Sequence, residues 1–171
     1  MYIVDDKLSA FQYGFTKNGS TIANLIDCYG STYRLLDSKA PIDIITIDLS
    51  KAFDRVNHEM LYKKLGTLGV SNRLCNLLIE LISNRKQLVR INNTQSSLKS
   101  IWSGVPQGSC LSPLLFKIYL DDLLNYQWNN NLYCYADDLK LMGISGPSIQ
   151  LDLERIDLWS NQNKMIVNKQ M

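Results

Sequence analysis

An α+β domain is predicted, with a small, largely antiparallel sheet covered on one face by helices. Three observations carry this. Apolar residues recur at helical spacing in stretches that begin near Thr21, His58, Ser71, Ser112 and Pro147. Short runs rich in strand formers alternate with them, notably Ile42 to Asp48 and Leu132 to Leu141. The runs late in the chain are broken by turn formers at Asn92-Asn93-Thr94 and Asp137-Asp138, close enough together for hairpins.

Taken in order, Ser20-Thr21 is a helix-capping pair, and Ile22, Leu25, Ile26, Tyr29, Tyr33 and Leu36 then recur at helical spacing to about Ser38. Pro41 ends that helix. Ile42–Asp48 is mostly apolar and β-branched, which predicts a buried central strand closed by a carboxylate. Helical patterns resume at His58–Leu65 and Ser71–Ser83, the second with Leu74, Leu77, Leu78, Leu81 and Ile82 on one side. Lys86–Asn92 and Ser96–Trp102 are two predicted strands of a hairpin. Gly104-Val105-Pro106-Gln107-Gly108 is a turn leading to a helix from Ser112-Pro113 to about Tyr126, where Pro at the first helical position is favourable. The Asp-Asp hairpin follows, then an amphipathic helix from Pro147 to about Asn163 and a last short strand at Met165–Val167.

With 171 residues, the chain is long enough for one domain with a real core. Its 46% hydrophobic and 20% charged content is ordinary for a globular protein. No apolar run approaches the roughly 18 residues of a membrane span, and Asp5-Asp6 put acid where a signal peptide needs base. An intracellular protein of nucleus or cytoplasm, neither secreted nor membrane-bound, is expected. Cys28, Cys75, Cys110 and Cys134 are scattered without a Cys-x-x-Cys pair, so they are reduced thiols rather than a zinc site. His58 is the single histidine, at a helix start rather than in a triad. From Lys51 to Arg90 the chain carries a formal +5, leaving −3 for the rest of a chain whose net charge is +2. A basic block beside acidic motifs suits a protein that holds nucleic acid in one place and metal in another.

Asp137 and Asp138 are the chemical focus. Two adjacent carboxylates repel one another, and a hard divalent ion with oxygen ligands, usually Mg²⁺, relieves that cost. A solvated turn is the plainer reading of the pair. Three stretches converge: Asp48-Leu49-Ser50-Lys51-Ala52-Phe53-Asp54, Gly104-Val105-Pro106-Gln107-Gly108-Ser109-Cys110-Leu111-Ser112-Pro113, and Tyr135-Ala136-Asp137-Asp138. In this order they resemble the palm of reverse transcriptases, most closely those of non-LTR (LINE-type) retrotransposons. The likeness continues in Gln12-Tyr13-Gly14-Phe15 with Ser20-Thr21, and in Leu158-Trp159 with Asn168.

The resemblance implies a polymerase palm with partial fingers, as one fragment of a reverse-transcriptase domain: about residues 1–40 from fingers to palm, 41–171 palm, thumb and N-terminal fingers absent. It implies Asp48 and Asp137 as principal metal ligands, Asp138 as a supporting carboxylate, and two Mg²⁺ ions (Mn²⁺ as an alternative). It implies an RNA template, a DNA primer and deoxynucleoside triphosphates. Backbone N–H groups around Lys51, Ala52 and Phe53 would cradle the triphosphate, and the Phe53 ring would exclude a ribose 2′-hydroxyl. Gln107 would meet the incoming nucleotide and templating base, with Gly108 permitting close backbone approach. Lys63, Lys64, Arg73 and Arg85 are candidates for phosphate neutralisation. Tyr119-Leu120-Asp121-Asp122 has the same Tyr-x-Asp-Asp spelling, but its surroundings are helical, so it is set aside.

The alternative is a truncated, inactive relic of such a polymerase that at most binds nucleic acid. It is suggested by Met171 where the family usually has lysine, and by Thr16 and Gly19 where basic residues are frequent. A group II intron maturase is a third reading, less consistent with the Phe-Asp and Tyr-Ala-Asp-Asp contexts.

Overall fold

Helix α1 (Thr21–Leu36) starts as expected, with the Ser20 hydroxyl accepting from the Ala23 N–H at 3.0 Å. The structure, a computed structural model, describes residues 8–16 and 19–168; the expectation at Met171 lies outside them. Strand β1 (Ile42–Asp48) is followed by the short helix α2 (Ala52–Arg55), α3 (His58–Thr67) and α4 (Asn72–Ile82). A long hairpin holds β2 (Arg85–Gln87), β3 (Arg90–Ile91), β4 (Thr94–Gln95) and β5 (Lys99–Ile101). Then come α5 (Ser112–Leu124), β6 (Asn131–Tyr135), β7 (Asp138–Ile144) and α6 (Pro147–Gln162).

The main sheet is antiparallel with order β1-β7-β6. Its register runs from Ile42 opposite Ile144 to Asp48 opposite Asp138, and β6 closes against β7 with Tyr135 opposite Asp138. Strand β1 is therefore an edge strand rather than the buried central one expected, with Ile47 buried but Ile44 51% exposed. A run of β-branched residues announces a strand; it does not say how many neighbours the strand has. The expected last strand at Met165–Val167 is only a single bridge, Leu49 to Val167, flanked by Ser50 N–H to Ile166 O at 2.8 Å and Asn168 N–H to Asp48 O at 2.9 Å.

Helix α5 forms the core of the domain. Leu115, Phe116, Ile118, Tyr119, Leu120, Leu123 and Leu124 are all buried, so most of the helix surface is covered, as on a central helix, with Asp121 and Asp122 at its more open side. Leu61 and Leu65 of α3, Leu139 and Leu141 of β7, and Ile149, Ile156 and Trp159 of α6 complete the same cluster. Each such side chain contributes about 1.5–3 kcal/mol by leaving water.

Two helices differ from expectation in which face they bury. On α1 the predicted stripe Ile22, Leu25, Ile26, Tyr29, Tyr33 and Leu36 is 45–69% exposed, and the helix instead buries Cys28 and Ser31, with Cys28 against Tyr133 and Met142. On α4 the leucines divide: Leu74, Leu77 and Leu81 are exposed, while Cys75 and Ile82 are buried. Periodicity identifies residues that share a face, but the neighbours decide which face is covered. The hairpin strands are also shorter than expected, because Leu88-Val89 and Ser96-Ser97-Leu98 separate two ladders. The Ser96 hydroxyl takes the Val89 N–H at 2.9 Å, a side-chain bond that displaces a ladder bond. No helix among the described residues is long and apolar enough to cross a membrane.

Asp152 of α6 is a fully buried carboxylate that ties this helix to the foot of the β6–β7 hairpin. It accepts from the Asn130 N–H and side chain at 2.9 Å each and from the Asn129 N–H at 3.1 Å, and pairs with Arg155 at 2.8 Å. Burial pulls its pKa up, but the bonds from Asn130 and Asn129 outweigh this and hold it below the ordinary carboxylate value. A depressed carboxylate stabilises the fold fully above its unfolded pKa of about 3.9 and loses that contribution as pH falls through the folded value. Asp152→Asn is therefore expected to cost about 2–4 kcal/mol near neutral pH, by facing a donor toward donors. Urea midpoints of variant and parent should converge on acidification; a pH-independent gap would show that the charge plays no part.

Candidate active site

Three segments meet at one end of the sheet, and each is fixed by backbone geometry. The first is the exit from β1. Asp48 is exposed, Leu49 is buried, and Lys51 at φ 51° reverses the chain into α2. That helix places Phe53 half-buried against Phe116, ring centroids 4.3 Å apart and nearly parallel, with Phe15 edge-on at 6.2 Å.

The second segment, Gly104–Gly108, docks on the first. The Gly104 N–H donates to Val56 O at 2.8 Å and the Val105 N–H to Phe53 O at 2.9 Å. The Gly104 carbonyl accepts from His58 Nε2 at 2.9 Å and Arg85 Nη2 at 2.7 Å. A Cβ at Gly104 would lie 2.7 Å from Asp54 Cα, and φ is +83°, so the close-approach glycine is Gly104. Gly108, expected in that role, has open space around it; its φ of +82° is what calls for glycine. Gln107 is exposed and donates to Asp54 Oδ1 at 3.3 Å.

The third segment is the β6–β7 turn. Ala136 and Asp137 form a two-residue connection with Ala136 at φ 56°, a conformation usually left to glycine. It is held by Gln12, whose buried amide reaches across the fold. Gln12 Oε1 accepts from the Ala136 N–H and the Gly14 N–H at 2.8 Å each, and Nε2 donates to Ala136 O and Cys134 Sγ at 3.0 Å each. A Cβ at Gly14 would stand 2.5 Å from Ala136 N, so this clasp needs glycine there. The Cys134 thiol is pushed up to about 12 by burial, with the charges of Asp137 and Asp138 adding to the effect, so it stays protonated. Nothing in the spacing of Gln12 signals this role; a glutamine at 1% exposure could be recognised only from the fold.

These segments bring Asp48 and Asp138 directly opposite one another, on the same face of the sheet, with Asp137 beside them in the turn. Asn168 Nδ2 donates to Asp48 Oδ2 at 3.3 Å. The donor set is all oxygen, the type hard divalent ions take. The expected three-carboxylate cage is not closed: among the described residues, no group of three or more His, Cys, Asp or Glu side chains is arranged to hold a metal. Three like charges repel and do not converge by themselves. Next to this end lies a cleft of about 680 Å³ walled by Lys51, Asp54, Arg85, Trp102, Gly104 and Gln107.

Most of the basic residues assigned to phosphate are engaged elsewhere. Lys64 bonds Asp122 Oδ1 at 2.7 Å and Tyr119 O at 2.6 Å, and burial pulls its pKa down against the pull of Asp122. Lys63 pairs with Glu59, and Arg85 braces the carbonyls of Ile82 and Gly104. Arg73 alone of the four is exposed with no such assignment. Asp121 and Asp122 lie on α5, bonded to the Ser9 N–H and to Lys64 and Trp159 respectively, so the second Tyr-x-Asp-Asp is structural.

Gln12→Leu would leave the Ala136 N–H buried without a partner and its C=O with only the weak Cys134 thiol at 3.3 Å, for a loss of about 1–3 kcal/mol. Hydrogen exchange at the Ala136 amide reads the clasp directly and should accelerate more than exchange in α5. Unchanged protection at Ala136 would mean that the turn holds itself.

Residues 2–170 match the model of the reverse transcriptase (RNA-dependent DNA polymerase) family. The chain is 32% identical over 139 residues to the RNA-directed DNA polymerase from mobile element jockey of Drosophila funebris, covering 77% of this chain and 15% of that protein. It is 31% identical over 121 residues to a retrovirus-related Pol polyprotein from a type-1 retrotransposable element R2 of Popillia japonica, covering 69% and 17%. The chain thus spans about a sixth of the length of these relatives. Among solved structures it resembles telomerase from Candida tropicalis, with TM-score 0.66 at 17% identity over 85% of this chain and 28% of that one. Telomerase from Candida albicans gives TM-score 0.63 at 15% identity over 99% and 34%. Those structural likenesses give the fold, that of a polymerase palm. With the family model matching nearly the whole chain and the curated relatives being polymerases of non-LTR retrotransposons, the chain belongs to the reverse transcriptase (RNA-dependent DNA polymerase) family.

Proposed function

We propose that this chain is the palm of an RNA-directed DNA polymerase that extends a DNA primer with deoxynucleotides along an RNA template. Membership of the family carries a nucleic-acid template and divalent-metal chemistry; the identity of the metal and the roles of single residues are our assignment. The observation that supports it most is the register that sets Asp48 opposite Asp138 with Asp137 in the adjoining turn.

Asp48 and Asp137, with Asp138 in support, would hold Mg²⁺ (or Mn²⁺). Two such ions supply activation of the primer 3′-hydroxyl and neutralisation of the leaving pyrophosphate. The rest falls to the chain's own groups. Backbone N–H groups at Lys51, which is left-handed, and at Ala52 and Phe53 at the start of α2 would cradle the triphosphate. The Phe53 ring, backed by Phe116, would crowd a ribose 2′-hydroxyl and offer it no hydrogen bond. Gln107, exposed and bonded to Asp54, would turn to meet the incoming nucleotide and templating base, with Gly108 at φ 82° shaping its turn.

A second reading, an inactive relic that binds nucleic acid, is favoured by one observation. Thr16 and Gly19, where basic residues are frequent, are absorbed into the loop: the Thr16 hydroxyl donates to Gln12 O at 2.7 Å, and a Cβ at Gly19 would meet Tyr13 O at 2.2 Å.

Primer extension on an RNA template with Mg²⁺ separates the two. The parent should extend and Asp137→Asn should lose more than about 100-fold, since even indirect support of a metal ligand is worth 10–100-fold. Equal extension by both would sink the assignment; no extension by the parent, with salt-sensitive RNA binding retained, is the relic. Phe53→Val should raise ribonucleotide use relative to deoxynucleotide by roughly 10-fold or more, the scale of a steric pocket change.

A further inference from the structure

We propose that the hairpin arm of residues 84–102 is a seat for single-stranded template RNA, with Lys86, Arg90 and Lys99 taking phosphates and Trp102 stacking on a base. The proposal rests on the reading above, that the chain works on an RNA template, and assigns that binding to one element.

Charge points to a polyanion. Between Leu81 and Leu120 the sequence contains no Asp or Glu, while the arm carries Arg85, Lys86, Arg90 and Lys99. A polyanion approaching the arm therefore meets no carboxylate of the arm's own, and phosphate contacts need no sequence signal. Arg85 is occupied by the Gly104 carbonyl and Arg90 reaches the side-chain oxygen of Gln95 within the arm, which leaves Lys86 and Lys99 facing water and Arg90 at the surface, all on exposed residues.

The arm's build points the same way. Residues 86–100 are exposed without exception, on both faces, and the ladders of three and two residue pairs are at the margin of what a two-stranded hairpin can hold in water. Yet the arm carries Leu88, Val89, Ile91 and Leu98, and at its foot Trp102 is 82% exposed. An indole left in water beside basic residues is the pairing that single-strand binders use, aromatic faces for bases and cations for the backbone.

Position completes the argument. Arg85, Gln87, Ser100 and Trp102 form one wall of the cleft whose opposite wall includes Lys51 and Gln107. Lys99 sits opposite Gln87, on the same face of the ladder as that wall. Arg85 pins the foot of the arm to the Gly104 carbonyl at 2.7 Å, so the arm is held at a fixed place beside the turn that carries Gln107. A strand lying along the arm is delivered to that turn.

The test uses the whole chain and a short fluorescein-labelled oligouridylate. Binding should quench the emission of Trp102, because Trp128 and Trp159 are half-buried and buried. The triple variant Lys86→Gln/Arg90→Gln/Lys99→Gln should lower the slope of log K against log salt by about 2, at roughly 0.7 per phosphate contact on a single strand. Trp102→Ala should weaken binding roughly 5- to 150-fold, the range of one stacked base. Both variants lie outside the core and should melt with the parent. RNA binding by the parent with Trp102 unquenched, or with affinity and slope unchanged in both variants, overturns the arm assignment and leaves the polymerase reading standing. No RNA binding by the parent overturns both. Retained RNA binding together with self-association abolished in the variants would make the arm a protein contact and overturn the proposal.

Discussion

Ala136 adopts a backbone conformation that an L-residue avoids at a cost of about 1–2 kcal/mol, and one buried amide holds it there. Gln12 gives a partner to both the N–H and the C=O of Ala136 from 124 positions away in sequence. The geometry at that point sets everything downstream. A turn of two residues puts Tyr135 opposite Asp138, the β7 register then puts Asp138 opposite Asp48, and Asp137 is left at the tip. A slip by one residue would turn every β7 side chain to the other face, sending Leu139 and Leu141 out of the core and Asp138 away from Asp48. The core therefore enforces the register, and Gln12 enforces the turn.

A second set of contacts explains why so much positive charge does not lie free. Lys64 spans α3, α5 and α6 through Asp122, the Tyr119 carbonyl and the rings of Tyr119 and Trp159, 4.5 and 5.0 Å away. Arg85 and His58 together hold one carbonyl, that of Gly104, which locks the Gln107 turn to α3 and β2. Lys64, Arg85 and His58 thus brace the surrounding elements from behind. The arm of residues 84–102 is where basic side chains remain exposed together.

Local physics was readable in the sequence, and its long-range consequences were not. The span of β1, the Ser20 cap, the Pro113 start of α5 and the helix from Pro147 rest on residues within one or two turns of one another, and each stands where it was expected. The stretches with Asp48, with Pro106-Gln107-Gly108 and with Asp137-Asp138 could be singled out by residue type and order, and they meet at one end of the sheet. What sequence left open is settled by partners far along the chain: the outward stripe of α1, the single neighbour of β1, the attachment of Lys64 to Asp122. Between the two ladders the Val89 N–H bonds the Ser96 hydroxyl while the Ser96 N–H bonds Val89 O, a local detail that no strand pattern reports.

The end of β1 carries a pair of like charges. Like charges placed directly opposite in a sheet destabilise it by a few tenths of a kcal/mol to about 1. Asp48 and Asp138 are both exposed, so water carries much of that repulsion. Asp138 lies on the central strand β7 and is exposed all the same, because it stands at the last rung of the ladder, opposite the end of β1. Only the first residues past the strand, Leu49 and Ser50, pair with the Ile166–Val167 segment, and Asn168 bonds Asp48 from there. This arrangement braces Asp48 without enclosing it.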